Sequence, residues 1–158
     1  RTKNTSNNFL TRFLLSIKLK LIKDAYDFAC EYNSPDKWKM VADLALEQGE
    51  FLIAEEAMQK SADYNSLLLY YTCISNREKL EQLAIIAEEE GLTNCAFAAY
   101  FELNNVDKCL DILVKTQKYP EASLFCRTYA PSKLASVLEL WNNEISNTNT
   151  RISKHLLI

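Results

Sequence analysis

The side chains able to do chemistry are few and scattered. His155 is the single histidine of the chain, and it lies beside a polar, Asn-rich end. General acid–base and nucleophilic catalysis need a partner within hydrogen-bond reach of such a group, and no spacing around His155 supplies one, so it reads as a bystander. Glu88, Glu89 and Glu90 invite a paired-carboxylate reading. Three consecutive helical residues point in different directions and cannot converge on one substrate, so the run reads as a solvated face. The five cysteines are Cys30, Cys73, Cys95, Cys109 and Cys126. They form no CxxC pair, and only His155 could complete a Cys/His metal set. All five fall inside apolar helical patterns and read as buried small hydrophobes in a reducing compartment. Phe97, Tyr100 and Phe101 could make a stacking platform, but at helical spacing in an apolar segment they read as core. No GxSxG, HExxH, P-loop or GxGxxG pattern occurs. The sequence therefore assigns no catalytic, cofactor-binding or metal-binding residue, and the reading is of a protein that is not an enzyme.

The elements that would carry these residues are helices. Only 2 glycines and 3 prolines punctuate 158 residues. Sheet-rich and phosphate-binding folds need turn glycines in greater supply, so an all-α fold is expected. Hydrophobic residues make up 48% of the chain, enough for a continuous core. The net charge of −3 argues against a nucleic-acid partner, because phosphate neutralisation requires a basic face. Lys18, Lys20 and Lys23 form a small basic cluster that reads as a solvated helix face. The longest apolar run, Leu67–Ile74, is far too short to span a bilayer. The chain opens without Met or a leader-like segment and reads as an internal fragment.

The punctuation sets the organisation. Residues 1–8 read as a disordered lead-in. Helical patterning starts at Phe9, is interrupted by "KLK" at 18–20, and resumes over Leu21–Tyr32. In "NSPDKW", Ser34 suits an N-cap, Pro35 the first helical position, and Asp36 the positive end of the dipole. Trp38, Val41, Ala42 and Ala45 then share one face, and Gly49 ends the helix in the left-handed position. Further helices are expected at Phe51–Ala62, Tyr64–Ile74, Arg77–Glu90, Thr93–Leu103 and Val106–Lys115. Pro120 and Pro131, eleven residues apart, each open a helix, and Pro131 also drives Ala130 out of helical geometry. That gives helices at 120–130 and 131–146, the second striped by Leu134, Val137, Leu138, Trp141 and Ile145. Residues 147–158 read as a frayed tail or linker.

Helices apolar on every side (64–74 and 93–103) alternate with helices that carry one apolar stripe (77–90 and 106–115). The former need cover on all sides, and the short connections force antiparallel neighbours. Five positions beyond the turns at Lys20, Gly49, Ser75 and Asn104 stand Ala25, Ala54, Leu80 and Cys109. The steps between these four are 29, 26 and 29 residues, a little under the tetratricopeptide period of about 34. The expected architecture over residues 9–146 is a right-handed α-solenoid of about five stacked antiparallel helix hairpins, tetratricopeptide-like.

Three stretches carry a family resemblance. They are "DKWKMVADLALEQGEFLIAEEAMQK" around Trp38 and Ala54, "AFAAYF" with Phe97, and "PEASLFCRTYAPS" with Pro120, Arg127, Tyr129 and Pro131. With Cys109 and Trp141 they form a structural signature. In order and spacing they resemble the helical segment of the beta-prime family of coatomer, the coat of retrograde Golgi vesicles, over roughly Phe9–Ile145. The family usually has a glycine pair where Asn65 and Ser66 stand, and glycine where Gln117 stands. Those turns are expected to be tighter or strained, or Asn65 to take the left-handed conformation.

The resemblance implies a non-enzymatic scaffold of the COPI coat, without a cofactor, located in the cytoplasm and peripherally on Golgi membranes and COPI vesicles. Its implied partners are the alpha subunit of coatomer and other coat subunits. Membranes would be met only through the assembled coat, nucleic acid not at all, and the fragment could self-associate. The alternative is a tetratricopeptide-like peptide-binding adaptor with a concave groove. That reading expects recurring polar or basic residues on the first helix of each pair, where this sequence is apolar.

Overall fold

A computed structural model describes residues 2–155, with side chains described for residues 8–148. Among these residues there are ten α-helices, one short 3-10 turn and no strand. The chain divides into two compact units, residues 1–79 and 80–158. The first contains α1 (Thr2–Lys18), α2 (Ile22–Tyr32), α3 (Pro35–Gln48), α4 (Phe51–Lys60) and α5 (Tyr64–Cys73). The second contains most of α6 (Arg77–Glu89), then α7 (Thr93–Glu102), α8 (Val106–Lys115), α9 (Tyr119–Tyr129), the 3-10 turn Pro131–Lys133 and α10 (Leu134–His155). The all-α, tetratricopeptide-like class expected from the sequence is thus the fold.

Seven of the nine corners between the described helices share one backbone device. At Gly49 the φ angle is +74°. Its N–H donates to the Leu46 carbonyl at 3.2 Å, and the next N–H, of Glu50, donates to Ala45 at 2.9 Å. This Schellman closure satisfies two of the carbonyls that a helix end orphans. The same pair of bonds recurs at Lys20, Ala62, Ser75, Gly91, Asn104 and Gln117, all with positive φ. Within each unit the corners fall thirteen residues apart where short helices follow one another: Gly49, Ala62 and Ser75, then Gly91, Asn104 and Gln117.

The core follows the corners. The fifth residue after each is buried: Ala25, Ala54, Leu67 and Leu80, then Ala96, Cys109 and Ala122. Asn33, also left-handed at φ +27°, leads to Trp38 by the same count. The device fixes where a helix starts, so it also fixes which face turns inward. Small residues dominate these sites and let paired helices approach closely. In the second unit Leu110, Ala122, Cys126 and Val137 form a packed cluster flanked by Leu113, Val114, Ala130 and Leu134.

Several expectations are corrected. The helical stretch opens at Thr2 rather than Phe9, and α10 runs on to His155 rather than ending near 146. Neither polar stretch contains Pro or Gly, so nothing breaks the helix that the apolar stripe sets up. Residues 156–158 of the expected tail lie outside the described residues, as does Arg1. Asn65 is not left-handed: it sits in the first turn of α5, and Ala62 takes the positive φ instead. Gln117 is left-handed at φ +58°, in keeping with the strained turn expected there. Ser34 occupies the N-cap of α3 but makes no side-chain cap bond. Cys30 and Cys73 are exposed, while Cys95, Cys109 and Cys126 are buried. Cys30 follows Ala29 on α2 and falls off the Ala25–Ala29 stripe, and Cys73 is the last residue of α5. The apolar helices are not covered on every side either, since Leu69 is 68% exposed and Phe101 40% exposed.

Candidate interaction surface

Two carboxylates organise the polar contacts. In the first unit Glu55 of α4 is buried and accepts from Tyr71 Oη at 3.0 Å and from Lys79 Nζ. Gln59, one turn on, donates to Tyr71 Oη at 3.1 Å. In the second unit Glu88 of α6 accepts from Tyr100 Oη at 3.0 Å and Lys115 Nζ at 2.8 Å, with Lys108 Nζ at 3.5 Å. The pairs Tyr71–Lys79 and Tyr100–Lys108 lie 29 residues apart, the repeat step read from the turns. Each lysine is the third residue of a helix whose first turn is capped by an asparagine: Asn76 Oδ1 accepts from the Lys79 amide, and Asn105 Oδ1 from the Lys108 amide. Glu88 is therefore a tie between α6, α7 and α8 and not part of a solvated face. Glu89 and Glu90 are exposed. The signal for Glu88 was present in the tyrosine and lysines downstream, but its role depends on the hairpin closing.

These contacts set protonation. Lys115, then Tyr100, then Lys108 hold the Glu88 carboxyl below the usual carboxylate range, working against its partial burial. Burial first, and the bond to Glu88 second, push the Tyr100 phenol up to about 12. A depressed carboxyl stabilises the fold above its unfolded value and loses that contribution as pH falls through the folded one. Glu88→Gln is expected to cost about 1 kcal/mol at neutral pH, with the gap from wild type closing below about pH 4. Urea melts across pH 3–8 check this, and a gap that stays constant down to pH 3 would refute it. For Tyr100 the sign is opposite: its contribution holds below pH 10 and fades toward 12.

A cluster of rings joins α7 to α9. Phe97 and Phe101 stack at 6.2 Å, and Phe125 meets Phe97 edge-on at 5.7 Å. Tyr129 lies 5.4 Å from Phe101 and 4.8 Å from Phe125. Phe125 is the buried member, while Phe101 and Tyr129 keep 40% and 50% of their surface in solvent. No group of three or more metal-binding side chains occurs among the described residues. No helix there is long and apolar enough to cross a membrane.

The family model described as the COPA/B TPR domain matches residues 4–142. The chain belongs to the COPA/B TPR domain family. Among curated proteins it is 39% identical to human Coatomer subunit beta' (Homo sapiens) over 145 residues, which is 92% of this chain and 16% of that protein. The mouse protein of the same name (Mus musculus) is 38% identical, and Coatomer subunit beta'-2 of Arabidopsis thaliana 37%, with the same coverage. The chain spans 16% of the length of these relatives.

Within this COPA/B TPR segment the signature residues fall into two groups. Trp38, Ala54 and Cys109 are buried, and Cys109 Sγ donates to the Phe97 carbonyl at 3.6 Å. Phe97 and Trp141 are half-buried, and Pro120, Arg127, Tyr129 and Pro131 are exposed. The structure brings Phe97 and Tyr129 into one ring cluster through Phe101 and Phe125. It places Trp38 and Ala54 in the other unit. Pro120 is the second residue of α9, and Pro131 opens the 3-10 turn after Ala130 has left helical geometry at φ −146°. His155 is the last described residue of α10, and its side chain lies outside the described part.

Proposed function

We propose that this segment is a structural scaffold of the COPI vesicle coat, pairing with the solenoid of the alpha subunit in Golgi-to-ER and intra-Golgi transport. The observation that carries the reading is the family match over residues 4–142, with relatives named as coatomer subunits. The physical chemistry is consistent with it: hairpins closed by main-chain corners, and half-exposed rings at Phe101 and Tyr129 suited to a folded partner. On this reading the segment performs no chemistry, and it meets Golgi membranes from the cytoplasmic side through the assembled coat. Immobilised alpha-subunit solenoid is expected to capture the chain at micromolar concentration. Failure to capture it there would overturn the pairing.

The tetratricopeptide-like peptide adaptor is the second reading, favoured by the open Phe101–Tyr129 edge. Titration with short linear peptides separates the two, since a groove binder holds such a peptide and a coat rod needs a folded partner.

A further inference from the structure

Between α1 and α2, wholly inside the first unit, lies an open groove of about 440 Å³. Its apolar wall is made by Leu15, Leu19 and Leu21, which keep 49%, 65% and 46% of their surface in solvent. Along its rim α2 presents Asp24, Asp27 and Glu31 at spacings of three and four, which places them on one helix face. They span about 10 Å along the axis at 1.5 Å per residue. All three are exposed, and none is in an ion pair among the described residues. Arg12, the cation among the lining residues, lies over the Phe28 ring at 5.8 Å, and the exposed Lys18, Lys20 and Lys23 stand at the corner end, away from Glu31.

An apolar trough beside a one-sided row of carboxylates selects its occupant by charge. The row of carboxylates favours a cationic partner over an anionic one. A purely apolar segment would leave the carboxylates without partners. A helix with leucine-like side chains on one face and Lys or Arg flanking it at the same three–four spacing meets both requirements, seating its apolar face and pairing its cations along the row. We propose that the α1–α2 groove is a docking site for a basic amphipathic helix of another protein. This inference does not rest on the coat reading, because it requires no alpha-subunit contact.

The test uses the 158-residue chain and a fluorescent model helix of leucine and lysine at heptad spacing, with a leucine/glutamate helix as counterpart. Fluorescence anisotropy is expected to show binding of the lysine helix only, weakening as salt rises. Asp24→Asn/Asp27→Asn/Glu31→Gln should weaken it by about tenfold or more. Glu78→Gln/Glu89→Gln/Glu90→Gln, the same charge change elsewhere, should leave it within about twofold. All six positions are exposed, so both variants should keep wild-type circular dichroism. Equal loss in the two variants, or binding of the glutamate helix, would overturn the proposal. So would a concentration-dependent dimer abolished by the groove variant without lysine-helix binding, which would give the groove to a second copy of the chain.

Discussion

Trp38→Ala is expected to destabilise the chain by about 3–5 kcal/mol, the largest effect of any single substitution argued from this fold. Trp38 is the largest fully buried side chain, with 1% of its surface in solvent. Tyr26 packs on it edge-to-face at 5.5 Å, and Lys60 Nζ sits over the ring at 4.4 Å. The indole N–H donates to Asn33 Oδ1 at 2.9 Å, tying the ring to the left-handed corner that sets the start of α3. Alanine removes the ring, its cation–π partner and that tie together. Trp38→Phe keeps most of the apolar volume but loses the hydrogen bond, so its cost should stay near 1–2 kcal/mol. Urea unfolding followed by circular dichroism checks both. Trp141 remains as the sole tryptophan, and its emission follows the second unit in the same experiment. A loss under 1 kcal/mol for Trp38→Ala would show that the core of the first unit does not depend on this ring.

The second large effect runs in the stabilising direction. Lys20, Ala62, Ser75, Asn104 and Gln117 hold φ between +53° and +59°, a region in which a Cβ is strained. The strain is about 1–2 kcal/mol per residue, and glycine relieves it at an entropic cost of about 0.5–1 kcal/mol. Each replacement by glycine should therefore gain about 0.5–1 kcal/mol, least at Asn104, since asparagine tolerates this geometry. Combined, the five should raise stability by about 3 kcal/mol, because distant sites add. Gly49 and Gly91 supply the reverse control. A Cβ on either meets nothing within 4 Å, so Gly49→Ala should lose about 1 kcal/mol through backbone strain alone. Thermal melts of the five-fold variant decide the matter, and an unchanged or lower midpoint would show that these corners carry no strain.

The sequence revealed the helices more readily than their corners. Pro35, Gly49, Gly91 and Pro120 mark boundaries by residue type, and the helices beside them fall within a residue or two of expectation, whereas the helix after Pro131 begins at Leu134 and runs well past its expected end. The turns at Lys20, Ser75 and Asn104 were found by counting and not by chemistry, because a lysine or serine does not announce a positive φ. Ala62 escaped because alanine is the best helix former. Its conformation is imposed by Asp63 N–H reaching back to Met58. Exposure was less legible than position. Cys30 and Cys109 look alike in the chain, yet one lies off its helix's buried stripe and the other lies five residues past a corner. At the interaction surface the ring cluster is readable as apolar helices, but which rings stay wet depends on how α7 meets α9. The α1–α2 groove is less visible still, since its carboxylates look like any solvated helix face until α1 is laid beside them.

Seven corners of this molecule are closed by a pair of main-chain hydrogen bonds, and the side chain at each has only to tolerate an awkward twist. Such a joint can accept lysine, alanine, serine, asparagine, glutamine or glycine without altering the path of the chain. Residue identity at a joint then sets how stiff it is, while its angle is inherited from the peptide bonds. Two sequences can drift apart at all seven joints and still trace the same course through space.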